Sequence, residues 1–366
     1  MIQTGFLGDI LSGRLKPDAV LDLSAGGRAV ILSDLHMGAG LRDDLAHQGE
    51  LVTALLRDYY LERGWILVLN GDIEELHRHP LHRIRERWGE LYRVFALFAE
   101  AGRLYKLVGN HDDALLHRKS YPFKLHQMIR IETGTIPAYV YHGHQPSIVY
   151  SNFNKLMGIG IRYVLRPFGI GNISWRRNPY HRYAVEKAAY DFSLEQNCIS
   201  IIGHTHRPLF ESLGRFEYIR FEIESLCRRF PLSSGEERER IRSEVEFLRV
   251  ELGKLSRSER RSVLRQSLYG QELPVPCLFN SGCAIGRKGL NAIEISAEDI
   301  ALTYWFERGK GKRFVGRGEY RTEEIADGRY LRAVLNRERL DSILARISLL
   351  GGKDSGWATG GTNGAG

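Results

Sequence analysis

Short apolar runs alternate with stretches of helical periodicity along the first third of the chain. The pattern predicts strands at residues 28–32, 65–69 and 104–108, separated by helices at 43–63 and about 80–101. This alternation predicts parallel strands joined by right-handed crossovers. In such sheets, binding sites collect beyond the carboxyl ends of the strands.

The rest of the chain combines short strands with two insertions. Further strands are predicted at 138–141, 199–202, 216–223, 278–282, 290–295 and 300–306, the last two as a hairpin. Residues 147–197 are rich in Gly, apolar and basic residues, then helical from about 180 to 196, and are expected to form a helical cap. Residues 227–273 have apolar positions at steps of four and three from Ile241 to Leu255, which predicts a charged helical hairpin. This arm is expected either to contact a partner or to pack as a solvated arm on its own domain.

The expected organisation is one core domain at 28–310, of α/β class, that contains both insertions. Residues 1–27 are expected to form an irregular leader, and 311–350 a C-terminal helical segment with a helix at about 322–349. The Gly-rich residues 351–366 are expected to be disordered.

Polar residues with metal-binding chemistry follow five of the predicted strands. In chain order the motifs are Asp34-Leu35-His36, Gly71-Asp72, Gly109-Asn110-His111-Asp112, His142-Gly143-His144 and Gly203-His204-Thr205-His206. An Asp and a His two residues apart at a strand end can hold one ion, but that pattern alone is weak. Five such stretches, all at predicted strand ends, make a common site the stronger interpretation.

Seven side chains are the expected metal ligands: Asp34, His36, Asp72, Asn110, His142, His204 and His206. All offer oxygen or nitrogen and none a thiolate, a set that suits Mn, Fe or Zn and argues against a structural zinc site built from cysteines. Seven ligands are too many for one ion. Two ions sharing a bridging carboxylate would use them, and Asp72, on the middle strand, is the expected bridge.

Composition narrows the class of protein only slightly. The 366 residues carry a formal charge of +8, which favours anionic partners such as phosphates, nucleic acid or an acidic membrane surface. The four cysteines form no Cys-x-x-Cys pair and are expected to be reduced thiols in a cytoplasmic protein. The amino terminus lacks the basic and apolar regions of a signal peptide, and no uncharged apolar stretch is long enough to predict a spanning helix.

The order of these five motifs resembles the calcineurin-like metallophosphoesterases, over roughly residues 28–210 and the strands after 276. The resemblance implies a four-layer αββα sandwich of two mixed sheets flanked by helices. It implies that one divalent ion takes Asp34, His36, Asp72 and His206, and the other takes Asp72, Asn110, His142 and His204, with Mn favoured over Fe or Zn. A hydroxide bridging the two ions would then attack phosphorus in line with the leaving oxygen.

The resemblance also implies catalytic roles. His111 would stabilise the phosphoryl charge or protonate the leaving group, and either Glu75 or Asp112 would orient it. His144 would contact substrate, support the ligands from outside, or replace His142 as a ligand; motif alignment favours His142 as the ligand.

Within the family, the UDP-2,3-diacylglucosamine pyrophosphohydrolases look most similar, through Ser33 to His36, Gly71 to Glu75 and Gly203 to Pro208. Two positions depart from that group, which usually has Arg where His111 stands and Asp where His144 stands. The missing Arg in the Gly71-Asp72 motif argues against a protein Ser/Thr phosphatase.

Three functions remain open from the sequence. The first is hydrolysis of a small or lipid-linked phosphoester or pyrophosphate, with Arg176, Arg177 and Lys187 of the cap expected to bind the phosphates. The second is a nuclease, which is less favoured because the 227–273 arm is nearly balanced in charge. The third is a non-catalytic scaffold acting through that arm. A location in the cytoplasm, with or without peripheral contact at a membrane surface, is expected; the oligomeric state is left open.

Overall fold

The computed structural model describes residues 16–40, 45–144, 179–213, 215–254, 275–284, 288–311 and 322–350. Its strands are β1 (Ala19–Asp22), β2 (Arg28–Leu32), β3 (Ile66–Asn70), β4 (Leu104–Leu107), β5 (Leu125–His126), β6 (Met128–Glu132), β7 (Ala138–Tyr141), β8 (Ile199–Ile202), β9 (Leu278–Asn280), β10 (Leu290–Ser296), β11 (Asp299–Glu307), β12 (Thr322–Ile325) and β13 (Tyr330–Arg339). Its helices are α1 (Gly49–Ala54), which continues as a π-helical stretch over Leu55–Leu61, α2 (Leu81–Arg87), α3 (Gly89–Glu100), α4 (Pro179–Gln196), α5 (Arg215–Arg229), α6 (Gly235–Lys254) and α7 (Leu340–Leu350). The chain is therefore an α/β protein.

The larger sheet is mixed and has eight strands in the order β12-β13-β11-β10-β2-β3-β4-β5. Strands β2, β3 and β4 run parallel, as their apolar runs and intervening helices predict. Strands β10 and β11 form the predicted antiparallel hairpin. The carboxyl ends of β2, β3 and β4 therefore meet at one edge of this sheet, which brings the first three motifs together.

The smaller sheet is also mixed and has the order β1-β6-β7-β8-β9. Strands β7, β8 and β9 run parallel, so the residues that follow them emerge at a common edge. His142 follows β7, His204 follows β8, and Ser281 follows β9. The second half of the predicted ligand set thus comes from a different sheet than the first half.

The two sheets pack face to face through a shared apolar core. Buried Ile31, Val68 and Leu107 of the larger sheet belong to the same core cluster as Val140 and Ile201 of the smaller one. Helices α1 and α3 pack on the opposite face of the larger sheet in a second cluster. Burial of this much aliphatic and aromatic surface is the main stabilising contribution to the fold.

Residues 1–27 were expected to be irregular, and that expectation is wrong for the part described. Ala19–Asp22 forms β1, which pairs in parallel with β6 at the edge of the smaller sheet. Val20 is 57% exposed while Leu21 is buried. A four-residue edge strand with one buried side chain carries too short an alternation to distinguish it from a loop.

The strand predicted at 216–223 is also wrong, because these residues lie inside helix α5. Phe216, Ile219, Ile223 and Leu226 recur at helical spacing, and Ile219 and Leu226 are buried. The same stretch also alternates between polar and apolar residues, so its sequence fits a strand as well as a helix. The element against which it packs determines which of the two forms. That partner is α6, which follows directly in sequence.

The helix predicted at about 322–349 is correct only for its last third. Residues 322–339 form β12 and β13, joined by a turn in which Ala326, Asp327 and Gly328 all have positive φ. Strand β13 pairs with β11 along nearly its whole length. Pairing with an existing sheet edge overrides the local propensity here. Within residues 322–350, helix is confined to Leu340–Leu350, so the described part of the segment expected to be helical at 311–350 is mixed.

The two expected insertions fall partly outside the described residues. Of the cap, residues 147–178 lie outside, and α4 agrees with the helix expected at about 180–196. Of the arm, residues 255–273 lie outside, and α6 covers most of the apolar seam, with Ile241 buried. Its antiparallel neighbour is α5, which begins before the expected boundary at residue 227. Each helix among the described residues is too short or too polar to cross a bilayer.

Candidate metal centre

The predicted ligands follow the strand ends in an unusual backbone conformation. Asp34, His36, Asp72, His204 and His206 all have φ between 48° and 63°. Residues other than Gly rarely adopt this left-handed region, and such strain concentrates at functional sites. The sharp turns that result aim the side chains back over the sheet edges.

The first group of side chains joins the β2 loop to the β8 loop. The Asp34 Oδ1 atom lies 3.3 Å from His206 Nε2 and 3.8 Å from His36 Nε2. The two imidazole nitrogens are 3.4 Å apart. These three ring and carboxylate atoms are close enough together to hold one metal ion. The sequence prediction that Asp34, His36 and His206 share a site is therefore consistent with the geometry.

The second group is centred on Asp72. Its Oδ2 atom lies 3.2 Å from His142 Nε2, 3.9 Å from His36 Nε2 and 4.0 Å from His111 Nε2. Asp72, His142 and His204 form a second set that could hold an ion. Asp72 Oδ2 thus faces imidazoles of both groups, as a bridging carboxylate would.

Several of these polar atoms are buried without a hydrogen-bond partner among the described residues. They are Asp34 Oδ1, Asn110 Oδ1, His142 Nε2 and His204 Nδ1. Leaving a buried polar atom unsatisfied costs about 1–3 kcal/mol, so such atoms are rare in groups. Four orphaned donor atoms of metal-ligating type at one place fit a site for divalent cations.

The side chains approach one another so closely that Gly is required between them. A Cβ at Gly203 would lie 2.7 Å from Asp34 Oδ2 and 2.8 Å from the Ser33 side chain. A Cβ at Gly109 would collide with the carboxylate and backbone nitrogen of Asp72. Only a residue without a side chain allows such a close approach of the backbone at these two positions.

His111 lies on the same cavity and is held by Glu75. Its Nδ1 is 2.9 Å from Glu75 Oε1, and Glu75 Oε2 is 3.4 Å from His36 Nδ1. Burial would raise the pKa of Glu75, but its hydrogen bonds to His111 and His36 outweigh burial and lower it. Since the ionised carboxylate only accepts, the bond requires His111 Nδ1 to donate. Its Nε2 then faces Asp72.

Asp112 was the other residue expected to orient His111, and its oxygens are engaged elsewhere. Oδ1 accepts from the Gly109 backbone nitrogen at 2.6 Å, and Oδ2 accepts from the Ile73 nitrogen at 2.9 Å. Oδ2 also accepts from Lys106 Nζ at 2.7 Å. Of the two alternatives, Glu75 is therefore the one in contact with the ring.

The electrostatics of the site favour bound positive charge. Burial would lower the pKa of His142, but the Asp72 and Asp34 carboxylates outweigh it and raise the pKa to about 9. Burial and the Asp72 charge raise the pKa of Asp34. The buried carboxylates therefore give the site a negative potential, which a divalent cation would neutralise.

The residues expected to bind substrate are only partly described. His144 lies beside the site, its ring centroid 5.5 Å from that of His142 and 6.4 Å from that of His204. Among the described residues, the groups of side chains close enough to hold an ion include His142 and do not include His144. Lys187 forms an ion pair with Asp191 on the same helix. Arg176 and Arg177 lie outside the described residues.

Two functional neighbours were not predicted from sequence. The His77 ring lies 4.5 Å from the His111 ring, on the solvent side of the site. Its spacing of two from Glu75 was the available signal. Asn280 donates to the Gly203 carbonyl and to Thr205 Oγ1, both at 3.0 Å, and so supports the His204 loop. It is a polar residue closing a buried strand, which is the same signal that identified the other motifs.

The chain was compared with protein-family models, curated proteins and solved structures. No family model and no curated protein matches the chain. The solved structure of YfcE, a phosphoesterase from E. coli, is similar at 13% identity over 75% of this chain and 91% of that one, with a TM-score of 0.31. Because that score is low, the case for an activity depends on the motifs and the site geometry.

Proposed function

We propose that the protein is a dinuclear-metal phosphoesterase of the calcineurin-like superfamily. The observation that carries the proposal is the convergence of orphaned donor atoms from both sheets around Asp72 Oδ2. A scaffold that had lost catalysis would have no physical reason to keep these buried polar atoms unsatisfied. The motif order Asp-x-His, Gly-Asp, Gly-Asn-His-Asp, His, Gly-His-x-His is the second line of support.

Two divalent cations would be held by seven residues. One set is Asp34, His36, Asp72 and His206, and the other is Asp72, Asn110, His142 and His204. When bound, such cations lower the pKa of a water molecule and neutralise charge on phosphoryl oxygens. Mn is the metal we favour, with Fe and Zn as alternatives, since the donor set contains no thiolate.

The chain itself contributes a positioned proton donor. Hydrolysis joins a water oxygen to phosphorus, breaks the bond to the leaving oxygen and delivers a proton to that oxygen. His111 Nε2 faces the site while Nδ1 is held by Glu75, so His111 is the residue we assign to phosphoryl stabilisation or leaving-group protonation. Glu75 is the residue we assign to orienting that ring, and Asp112 to holding the loops.

The same proposal includes an architecture for the fold and limits for the domains. The shared core between the sheets supports a four-layer αββα sandwich, with α1 to α3 on one outer face. Residues 28–310 would form the core domain, with a helical cap at 147–197 and a helical arm at 227–273.

Exposed basic residues in the chain segments that follow Glu75 and Asp112 support an anionic substrate. Residues 77–87 begin at His77, against His111, and contain exposed Arg78, Arg83 and Arg85 with one acidic residue, Glu86. Arg118 and Lys119, also exposed, follow the Asp112 loop. We favour a small or lipid-linked phosphoester or pyrophosphate, such as a nucleotide sugar, with the enzyme in the cytoplasm or peripheral at a membrane. A nuclease activity is the second candidate, motivated by the net charge of +8.

Metal-dependent hydrolysis of bis-p-nitrophenyl phosphate tests the enzyme proposal. Chelated protein reconstituted with Mn²⁺ should turn over, and Asp72→Asn should lower kcat by about 10³-fold or more, since charge stabilisation in such sites is among the largest catalytic contributions. The matched control is Asp299→Asn, a carboxylate on β11 paired with Arg337. Equal inactivity of wild type and Asp72→Asn would refute an enzyme and favour a scaffold.

A panel of substrates separates the two candidate activities. Phosphomonoesters, diesters and nucleotide-sugar pyrophosphates are assayed with the reconstituted enzyme, with single-stranded DNA as competitor. Strong inhibition by DNA together with its cleavage would favour the nuclease. Turnover of a pyrophosphate that DNA does not inhibit would favour the small-molecule or lipid-linked hydrolase.

A further inference from the structure

A fully buried lysine lies on β4, four residues before the proposed ligand Asn110. Lys106, on β4, has no exposed side-chain surface, and its neighbours along the strand, Tyr105 and Leu107, belong to the apolar core between the sheets. Its ammonium donates to Asp112 Oδ2 at 2.7 Å and pairs with Glu74 Oε2 at 3.0 Å. It also donates to the Leu107 carbonyl at 3.3 Å. A buried charge of this kind is costly unless it is fully paired, so its placement calls for a role.

The two carboxylates that Lys106 joins are attached to different parts of the site. Asp112 accepts backbone N–H groups from Gly109, which precedes Asn110, and from Ile73, which follows Asp72. One carboxylate thus fixes the β3 loop to the β4 loop, each carrying a proposed ligand. A second link between the same loops runs from the His111 nitrogen to Asp72 Oδ1, at 2.7 Å.

Glu74 extends the network in the other direction. Its Oε1 accepts from the hydroxyls of Tyr92 on α3, at 2.7 Å, and Tyr121, at 2.6 Å. Its backbone lies beside Met37, which follows His36 in the β2 loop. Through one ammonium group, then, the loops after β2, β3 and β4 are tied to one another and to the flanking helix.

We propose, on the basis of the metal-dependent function proposed above, that Lys106 is a positioning residue for the metal centre. It holds Asp112 and Glu74 in place, and they hold the loops that present Asp72 and Asn110. The hydrogen bonds and ion pairs of Lys106 among the described residues go to Asp112, Glu74 and the Leu107 carbonyl, none of which is a proposed ligand, so Lys106 acts through the loops that these groups hold. Groups that orient metal ligands typically change metal affinity or activity 10–100-fold when they are removed.

The test compares Lys106→Met with a variant that breaks a buried ion pair far from the site. Arg332 on β13 pairs with Glu294 on β10, and both side chains are at most 5% exposed. Arg332→Met removes a buried cation of similar burial from the same sheet. For both variants, thermal unfolding of the metal-free protein is measured, and the Mn²⁺ dissociation constant is measured by competition with a fluorescent chelator.

We expect both variants to unfold at lower temperature and only Lys106→Met to weaken Mn²⁺ binding, by about 10–100-fold. Lys106→Arg, which keeps the charge, should recover part of that loss. Unchanged Mn²⁺ affinity in a folded Lys106→Met protein overturns the inference, as does an equal loss in Arg332→Met.

Two further measurements distinguish failure of this inference from misfolding of the variant and from failure of the proposed function. If Lys106→Met does not fold, Asp112→Asn decides the question, because its single side-chain oxygen can accept from only one of the Gly109 and Ile73 backbone N–H groups, while its amide nitrogen cannot accept from the other. Retained wild-type affinity in Asp112→Asn would then overturn the inference. If wild type itself binds no Mn²⁺, Zn²⁺ or Fe²⁺, the proposed function fails, which is a different result from tight binding by wild type and variants alike.

Discussion

At the scale of single residues, the carboxylates of the site divide their two oxygens between different tasks. Asp34 uses Oδ2 to accept the His204 backbone nitrogen at 3.0 Å and leaves Oδ1 facing His206. Asp72 uses Oδ1 for the His111 nitrogen and leaves Oδ2 among the imidazoles. Asp112 uses both oxygens for backbone groups. In Asp34 and Asp72, one oxygen holds a neighbouring loop and the other is available to a cation. Asp112 has no oxygen available, because both of its oxygens accept backbone N–H groups.

This division explains what the motifs could predict and what they could not. An Asp after a strand signals a polar residue at the sheet edge, so Asp34, Asp72 and Asp112 all follow from sequence. Which of them keeps an oxygen for the site depends on backbone nitrogens from remote segments. The choice between Glu75 and Asp112 as the partner of His111 was open for that reason.

Glu75→Gln tests the contact between Glu75 and His111. The substitution keeps the size of the side chain and removes the charge that stabilises a protonated ring, so we expect kcat to fall by about 10–100-fold with little change in KM. Initial rates with bis-p-nitrophenyl phosphate at saturating Mn²⁺ measure this. Saturation matters because Glu75 Oε2 also lies 3.4 Å from His36 Nδ1.

Glu100→Gln is the matched control, since Glu100 is exposed at the end of α3. It should keep the wild-type kcat. A Glu75→Gln enzyme with wild-type kcat would show that the contact is not used in turnover. A change confined to the Mn²⁺ requirement would assign Glu75 to the His36 ligand instead.

At the scale of elements, strands with a continuous apolar run were predictable, whereas β6, in which polar and apolar residues are mixed, and the short exposed edge strands were not. β2, β7 and β8 match the sequence prediction at both ends because their apolar runs end abruptly in polar residues. β1 and β12 are edge strands of four residues each. Their side chains are largely exposed, so no apolar run marks them.

The sequence predicted that the arm contains helices, but it did not predict which segment packs against α6. The seam starting at Ile241 identified α6, while α5 was mistaken for a strand. A repeat of apolar positions predicts that one face of a helix is buried. It does not identify the element that packs against that face. Here it is the preceding helix.

Ile241→Ala tests whether that seam stabilises the pair of helices. Ile241 is 2% exposed and should cost about 2–4 kcal/mol of unfolding free energy when truncated, as for other buried aliphatic residues. Urea denaturation followed by circular dichroism measures it. Hydrolytic activity below the transition should be unchanged, because the arm contributes none of the proposed ligands.

Val250→Ala is the comparison on the same helix, where the side chain is 45% exposed. Its cost should stay within about 0.5 kcal/mol, as for surface positions. Equal effects of the two substitutions would mean that α6 is not packed through Ile241.

At the scale of the whole molecule, the site exists only because two sheets meet. Asp34, Asp72 and Asn110 come from loops of the larger sheet, and His142 and His204 from loops of the smaller one. The sequence supplied the ligand types and their order at strand ends. It could not supply which sheet carries each loop, because strand pairing across more than 100 residues leaves no local pattern.

Removal of the metal ions should therefore destabilise the packing of the two sheets against each other. In the absence of cations, two carboxylates with at most 1% exposure, Asp34 and Asp72, lie buried among imidazoles. A ligand that binds only the folded state stabilises it by about 2.7 kcal/mol at 100 times its dissociation constant. Mn²⁺ added to chelated protein should accordingly raise Tm by several degrees, in a concentration-dependent way, in differential scanning fluorimetry.

Asp34→Asn should lose most of that shift, because one proposed cation loses its only carboxylate besides the bridging Asp72. Asp299→Asn, whose carboxylate lies on β11 and pairs with Arg337, should keep it. The Tm of the metal-free Asp34→Asn protein is expected to equal or exceed that of metal-free wild type, since the substitution removes the cost of burying a charged carboxylate at this position. An identical Tm with and without Mn²⁺ in wild type would contradict a cation site between the sheets, and a full shift in Asp34→Asn would move that site away from Asp34.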